Sequence, residues 1–119
     1  MGLKLYDSEL KIMSILWKEG DTTAKRIAEI AKVEIGWSKT TTYTVIKKCI
    51  DKGAIKRLDP TFTCCALVTR EQVQLFETNE LIRNMYEGSA DQLIVSLLHS
   101  KILSEQELAH IKEIVNRLE

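Results

Sequence analysis

Apolar residues recur at helical spacing through the first fifty positions, alternate briefly after Gly53, and return to helical spacing from Thr69 onward. Leu10, Met13, Leu16 and Trp17 form the first stripe, which predicts a helix starting near Asp7 or Ser8, with Glu9 in its first turn, and stopping at Gly20. Thr22 or Thr23 caps a second helix running to about Val33. Its inward residues, Ala24, Ile27, Ala28 and Ala31, are small enough for close packing. A turn over residues 34–37 leads to a third helix, where Thr42, Val45, Ile46, Cys49 and Ile50 share one face. Ser38 caps its start, and Gly53 ends it in the left-handed conformation.

After Gly53 the period shortens. Residues 54–58 read as a strand, Asp59-Pro60-Thr61 as a turn and 62–68 as the return strand, so a hairpin bearing Lys56-Arg57 follows the third helix directly. Helix, short link, small-residue helix, turn, basic helix and hairpin is the order of a winged helix-turn-helix. From Thr69 the pattern predicts three more helices. Thr69 and Gln72 form a capping box for the first, which ends near Gly88, and Ser89 caps the second. Ser104-x-x-Glu107 is a box for the last, which runs to the end of the chain. The expected fold class is mainly α: a winged helix-turn-helix DNA-binding domain over residues 1–68, followed by a three-helix dimerisation tail over 69–119.

The tail carries more apolar surface than three short helices bury by themselves. Leu81, Ile82 and Met85 lie on the first, and Leu93, Ile94, Leu97 and Leu98 on the second. Leu108, Ile111, Val115 and Leu118 repeat with the 3-4-3 spacing of a coiled-coil seam on the third, widened by Ile114. A second copy of the chain is the expected cover, making a homodimer; folding back on the N-terminal domain is the alternative.

Charge divides the chain at the same place. Net charge is zero, yet residues 1–68 hold 12 Lys and Arg against 8 Asp and Glu, and residues 69–119 hold 5 against 9. Between 39 and 57, Lys39, Lys47, Lys48, Lys52, Lys56 and Arg57 face only Asp51. Such a split points to a half that binds a polyanion, joined to a half with another task. The outward face of the third helix, Thr40, Tyr43, Thr44 and Lys47, has hydroxyls, one aromatic and a lysine but no carboxylate. Taken alone this is an ordinary solvated face; before a basic hairpin it suits the major groove of double-stranded DNA. Lys39, Lys47, Lys48, Lys56 and Arg57 are assigned to phosphates, and Ser38 with the nearby helix amides to a phosphate at the helix N-terminus. Thr40, Thr41, Tyr43 and Thr44 are assigned to base edges. The face lacks Arg, Asn and Gln, hence any bidentate partner for guanine or adenine. Specificity then rests on two half-sites read by a dimer and on DNA shape. A winged-helix module that binds proteins rather than DNA is the alternative.

Other classes find little support. No apolar run approaches the roughly 20 residues of a membrane helix, and the first residues match neither a signal peptide nor a myristoylation signal, so a cytoplasmic location with no membrane partner is expected. No HExxH, GxSxG or phosphate-loop pattern occurs, and His99 and His110 stand in no motif, so neither an enzyme nor a cofactor is expected. Three cysteines without metal-ligand spacing read as reduced thiols, Cys49 in the core and at most one of Cys64 and Cys65 facing it. A redox or metal-sensing role for the adjacent pair is the alternative.

The segments SELxIMxxLW, TAKxIAE and GWSKTTTYTVIKKCxxKG, with ALV closing the hairpin, resemble the BlaI/MecI family of penicillinase repressors over about residues 4–118. The resemblance implies a homodimeric winged-helix repressor on an inverted-repeat operator upstream of its genes. In better-known members the third helix opens Trp-Ser-Pro-Lys-Thr, with a DNA-contacting Arg two residues on. Here Lys39 and Thr40 replace the Pro and Lys, Thr41 and Thr44 keep the threonines, and Tyr43 stands at the arginine position, which implies a different operator word. The Asn-Phe bond cut during antibiotic induction is matched by Ser96-Leu97, and the cysteine cluster of copper-responsive relatives has no counterpart. The resemblance therefore supplies neither sensor nor inducing protease for this chain.

Overall fold

The Tyr6 N–H donates to the Glu9 carboxylate at 2.8 Å and starts the first helix, α1 (Asp7–Glu19). In the computed structural model, which describes residues 3–118, five more helices and three short strands follow. These are β1 (Thr22–Thr23), α2 (Ala24–Glu34), α3 (Lys39–Asp51), β2 (Ile55–Leu58), β3 (Thr63–Ala66), α4 (Arg70–Met85), α5 (Ala90–His99) and α6 (Glu105–Arg117). The mainly α winged helix expected from the pattern is the fold observed.

Local signals place the helix ends. Thr23 accepts from Arg26 N–H at 3.1 Å to cap α2, and Ser38 accepts from Thr41 N–H at 3.1 Å to cap α3. At the other end of α3 the Gly53 and Ala54 amides turn back onto the Ile50 and Cys49 carbonyls, with Gly53 at φ +81°. This is a Schellman ending, which glycine adopts without steric cost. Thr69 and Gln72 exchange side-chain bonds with each other's amides, as do Ser104 and Glu107, so both capping boxes form. Ser89 precedes α5 but makes no side-chain bond to its backbone; its hydroxyl bonds Asp91 instead.

The sheet contains a strand that the periodicity misses. β3 lies centrally, pairing antiparallel with β2 on one side and with β1 on the other, where Thr22 meets Cys64 and Thr23 meets Thr63. The core of this part of the chain joins Ile12, Met13 and Leu16 of α1 to Ile27 and Ala31 of α2 and Ile46 and Cys49 of α3, with Ile55, Cys64 and Val73 closing it. Each large side chain here contributes about 1.5–3 kcal/mol by leaving water. The α1 stripe is rotated from the expected one: Ile12 and Ile15 are buried with Met13 and Leu16, whereas Leu10 is exposed and Trp17 half-buried. The carboxylate of Glu9 shares the buried side, and a charge there hides the true apolar arc.

The chain packs as two compact units that divide between Glu77 and Thr78, inside α4 rather than ahead of it. The expected boundary after Val68 is the last residue but one before α4, whose first half, with buried Val73, belongs to the first unit. The second unit holds the end of α4 with α5 and α6. Neither α5 nor α6 buries a residue. Leu118, expected in the helical seam, stands just past α6 in extended backbone, its N–H bonded to the Val115 carbonyl as the last turn closes. Among the described residues no helix is long and apolar enough to cross a membrane, and no three His, Cys, Asp or Glu side chains group as metal ligands would.

Candidate nucleic-acid interface

Helix α3 presents two unlike faces. Thr42, Val45, Ile46 and Cys49 are buried, with Thr42 donating its hydroxyl to the Ser38 carbonyl at 3.0 Å. Ser38, Lys39, Thr40, Thr41, Thr44, Lys47 and Lys48 are exposed, and Tyr43 is half-buried. The hydroxyls on the exposed side are partly committed. Ser38 donates to Thr41 Oγ1 at 3.0 Å, and Thr44 donates to the Thr40 carbonyl at 2.9 Å. Thr44 therefore keeps acceptor lone pairs toward solvent, while its proton is used within the helix.

Lys39, Lys47, Lys48 and Lys56 are exposed and form no salt bridge among the described residues. Arg57 is more constrained, its Nε bonded to Asp59 at 2.9 Å and its guanidinium carbon 3.7 Å from the Phe62 ring centroid. Lys52, counted in the basic surplus by sequence alone, does not belong to the free cations. Its ammonium sits 2.6 Å from Glu9 Oε1, donates to the Lys4 carbonyl at 2.8 Å, and lies 4.4 Å from the Tyr6 ring centroid. Burial pushes the Glu9 carboxyl up, but the Lys52 ammonium and the Tyr6 N–H outweigh it and hold its pKa below the ordinary value.

Phe62 is the residue that sequence reasoning missed. It lies in the turn of the hairpin at φ +51° and packs edge-on against Tyr43, with ring centroids 5.7 Å apart. The periodicity expects it to open the return strand, which instead begins at Thr63, and no local signal announces a partner for it. The adjacent cysteines divide as strand alternation requires: Cys64 is buried and Cys65 half-buried. Burial raises the Cys64 thiol to about 11 and the Cys49 thiol to about 12. Desolvation and the neighbouring Asp21 carboxylate raise Cys65 as well. None of the three is a ready nucleophile at neutral pH. His99 and His110 are exposed.

The second unit carries the residues assigned to the dimer. Leu81 and Met85 of α4, Ile94 and Leu98 of α5, Ile111, Ile114 and Val115 of α6, and Leu118 are exposed, and Ile82, Leu93, Leu97 and Leu108 are half-buried. Between α5 and α6 runs an apolar groove of about 540 Å³ whose walls include Ile94, Leu97, Leu98, Leu108, Ile111 and Val115.

The family model described as Penicillinase repressor matches residues 5–117. The methicillin resistance regulatory protein MecI of Staphylococcus aureus (strain N315) is 25% identical over 122 residues, covering 98% of this chain and 99% of that protein. MecI of Mammaliicoccus sciuri is similar to the same extent. The penicillinase repressor of Bacillus licheniformis is 23% identical over 115 residues, covering 94% of this chain and 89% of that protein. With the match spanning nearly the whole length and the winged helix in place, this chain belongs to the penicillinase repressor family of transcriptional repressors.

Proposed function

We propose that the protein represses transcription by binding, as a homodimer, to an inverted-repeat operator in duplex DNA, and that it works in the cytoplasm. The observation that carries this reading is the set of four exposed lysines, Lys39, Lys47, Lys48 and Lys56, that form no salt bridge among the described residues, on and just beyond a helix whose outward face has no carboxylate from Thr40 to Lys47 and only Asp51 at its far end. A protein-binding wing has no need of that surplus. Lysines at phosphates supply salt-dependent affinity, while Thr40, Thr41, Tyr43 and Thr44 meet base edges in the major groove. Ser38 spends its hydroxyl on Thr41, so a phosphate at the start of α3 bonds the Lys39 and Thr40 amides. Asp59 occupies only the Arg57 Nε, so a phosphate bonds the two terminal amino groups of the guanidinium. The groove between α5 and α6 and the exposed end of α4 join two copies, which sets the spacing of two half-sites.

Quantitative duplex binding at several salt concentrations tests this reading. Lys47→Ala is expected to weaken specific and non-specific binding alike and to lower the salt slope by about one. Tyr43→Ala and Thr44→Ala are expected to weaken specific binding by about 1–3 kcal/mol and non-specific binding far less. Unchanged binding in all three variants overturns the assignment of α3.

A further inference from the structure

Phe62 touches three elements at once. Its ring stands edge-on to Tyr43 of α3, with planes at 88°. The Arg57 guanidinium of β2 lies 3.7 Å from its centroid, and its carbonyl accepts from the Ala24 N–H, at the first residue of α2, at 3.0 Å. Tyr43 in turn has the Lys39 ammonium 5.6 Å from its own ring centroid. An unbroken row of Lys39, Tyr43, Phe62, Arg57 and Asp59 thus runs from the first residue of the recognition helix into the turn of the wing.

The backbone shows what Phe62 is there for. At φ +51° it occupies the left-handed region, where glycine or asparagine sits at least cost and a bulky residue is strained. The phenylalanine side chain offers no hydrogen bond in exchange, so its ring contacts, together with the Ala24 amide on its carbonyl, hold the strained conformation. Those contacts go to Arg57 and to Tyr43, the one aromatic on the outward face of α3, which is half-buried between the core and the Phe62 ring edge.

We propose that Phe62 is a positioning residue for Tyr43: the tip of the wing fixes the ring, and so the place at which the phenol meets DNA, while Arg57 and the α2 amide fix Phe62. The proposal rests on the DNA-binding reading of α3 and adds to it that the wing contributes to sequence choice without touching a base. An unsupported tyrosine on an exposed helix explores several rotamers, and ordering it on binding weakens the complex.

The test is a double-mutant cycle with wild type, Tyr43→Ala, Phe62→Gly and the double variant, read on two probes. One probe is the duplex that the wild type selects from a random pool, and the other is a scrambled duplex of the same composition. Phe62→Gly removes the ring and relieves the backbone, so the turn survives; Phe62→Leu keeps apolar bulk without an aromatic edge and serves the same cycle should the glycine variant unfold. Phe62→Gly is expected to lose about tenfold on the selected duplex and under threefold on the scrambled one. The double variant is expected to lose no more than Tyr43→Ala alone, and Phe62→Tyr to stay near wild type. Losses that multiply in the double variant, or equal losses on both duplexes, overturn the proposal while leaving DNA binding intact. A wild type that selects no duplex overturns the DNA-binding reading itself, and this proposal with it.

Discussion

Lys52 and Glu9, forty-three positions apart, meet at 2.6 Å and tie the end of α3 to the start of α1. The Glu9 side chain is 3% exposed and that of Lys52 31%, so the partners depend on each other unequally. Lys52→Met strands a buried carboxylate with only the Tyr6 amide and is expected to destabilise the fold by about 3 kcal/mol. Glu9→Gln keeps an acceptor for both donors and is expected to cost about 1 kcal/mol. Urea unfolding of the two variants separates these outcomes.

The same pair makes stability depend on pH. Glu9 has a folded pKa below its ordinary 4.5, so its contribution is present above that value and disappears as pH falls through the folded pKa. The stability gap between wild type and Glu9→Gln is therefore expected to narrow on acidification below about pH 5. A constant gap from pH 7 to pH 3 contradicts the assignment.

Signals confined to a few residues were legible in the sequence. Ser38, Gly53, Thr69 with Gln72 and Ser104 with Glu107 all act where local spacing placed them. What stayed hidden depends on partners distant along the chain. Thr22 or Thr23 reads as a helix cap, which Thr23 is, but only β3, some forty positions on, reveals that both also form a strand. Lys52 reads as one more cation until Glu9 arrives beside it. Phe62 reads as the first residue of the return strand until Tyr43 arrives beside it. The candidate site was thus legible in its residues but not in its bracing, because bracing is a property of contacts and sequence spacing records none.

The cysteines are expected to be quiet in the folded protein. Cys49 and Cys64 are buried with pKa values of about 12 and 11, so neither presents thiolate at pH 7.5. Alkylation followed by mass spectrometry is expected to label Cys65 slowly and the other two only after denaturation. Mild oxidation should then leave DNA affinity unchanged; its loss would revive a sensing role for the Cys64–Cys65 pair.

Asp59 restrains Arg57 through the 2.9 Å bond to Nε. Asp59→Asn removes a negative charge from the wing turn and loosens the guanidinium, so non-specific duplex affinity at low salt is expected to rise several-fold. Fluorescence anisotropy with a scrambled duplex reads this directly. Unchanged affinity would place Arg57 away from the DNA backbone.

Ile111 and Val115 line the groove between α5 and α6, whereas Ala109 on the same helix is exposed outside it. An aspartate at either groove position puts an unpaired charge into an apolar contact, which costs several kcal/mol. Ile111→Asp and Val115→Asp are expected to lower the sedimenting mass from twice the 13.6 kDa chain to one chain, and Ala109→Asp is expected to leave it unchanged. A wild type that sediments as one chain at all concentrations removes the dimer.

Selection from a pool of random duplexes, followed by sequencing, addresses the repressor reading most directly. The expected result is an enriched inverted repeat whose half-sites lie a whole number of helical turns apart, about 10–10.5 base pairs per turn. Its base preferences should change on Tyr43→Ala, and its affinity should fall steeply with salt. Enrichment of no sequence, or binding that ignores salt, would contradict the account.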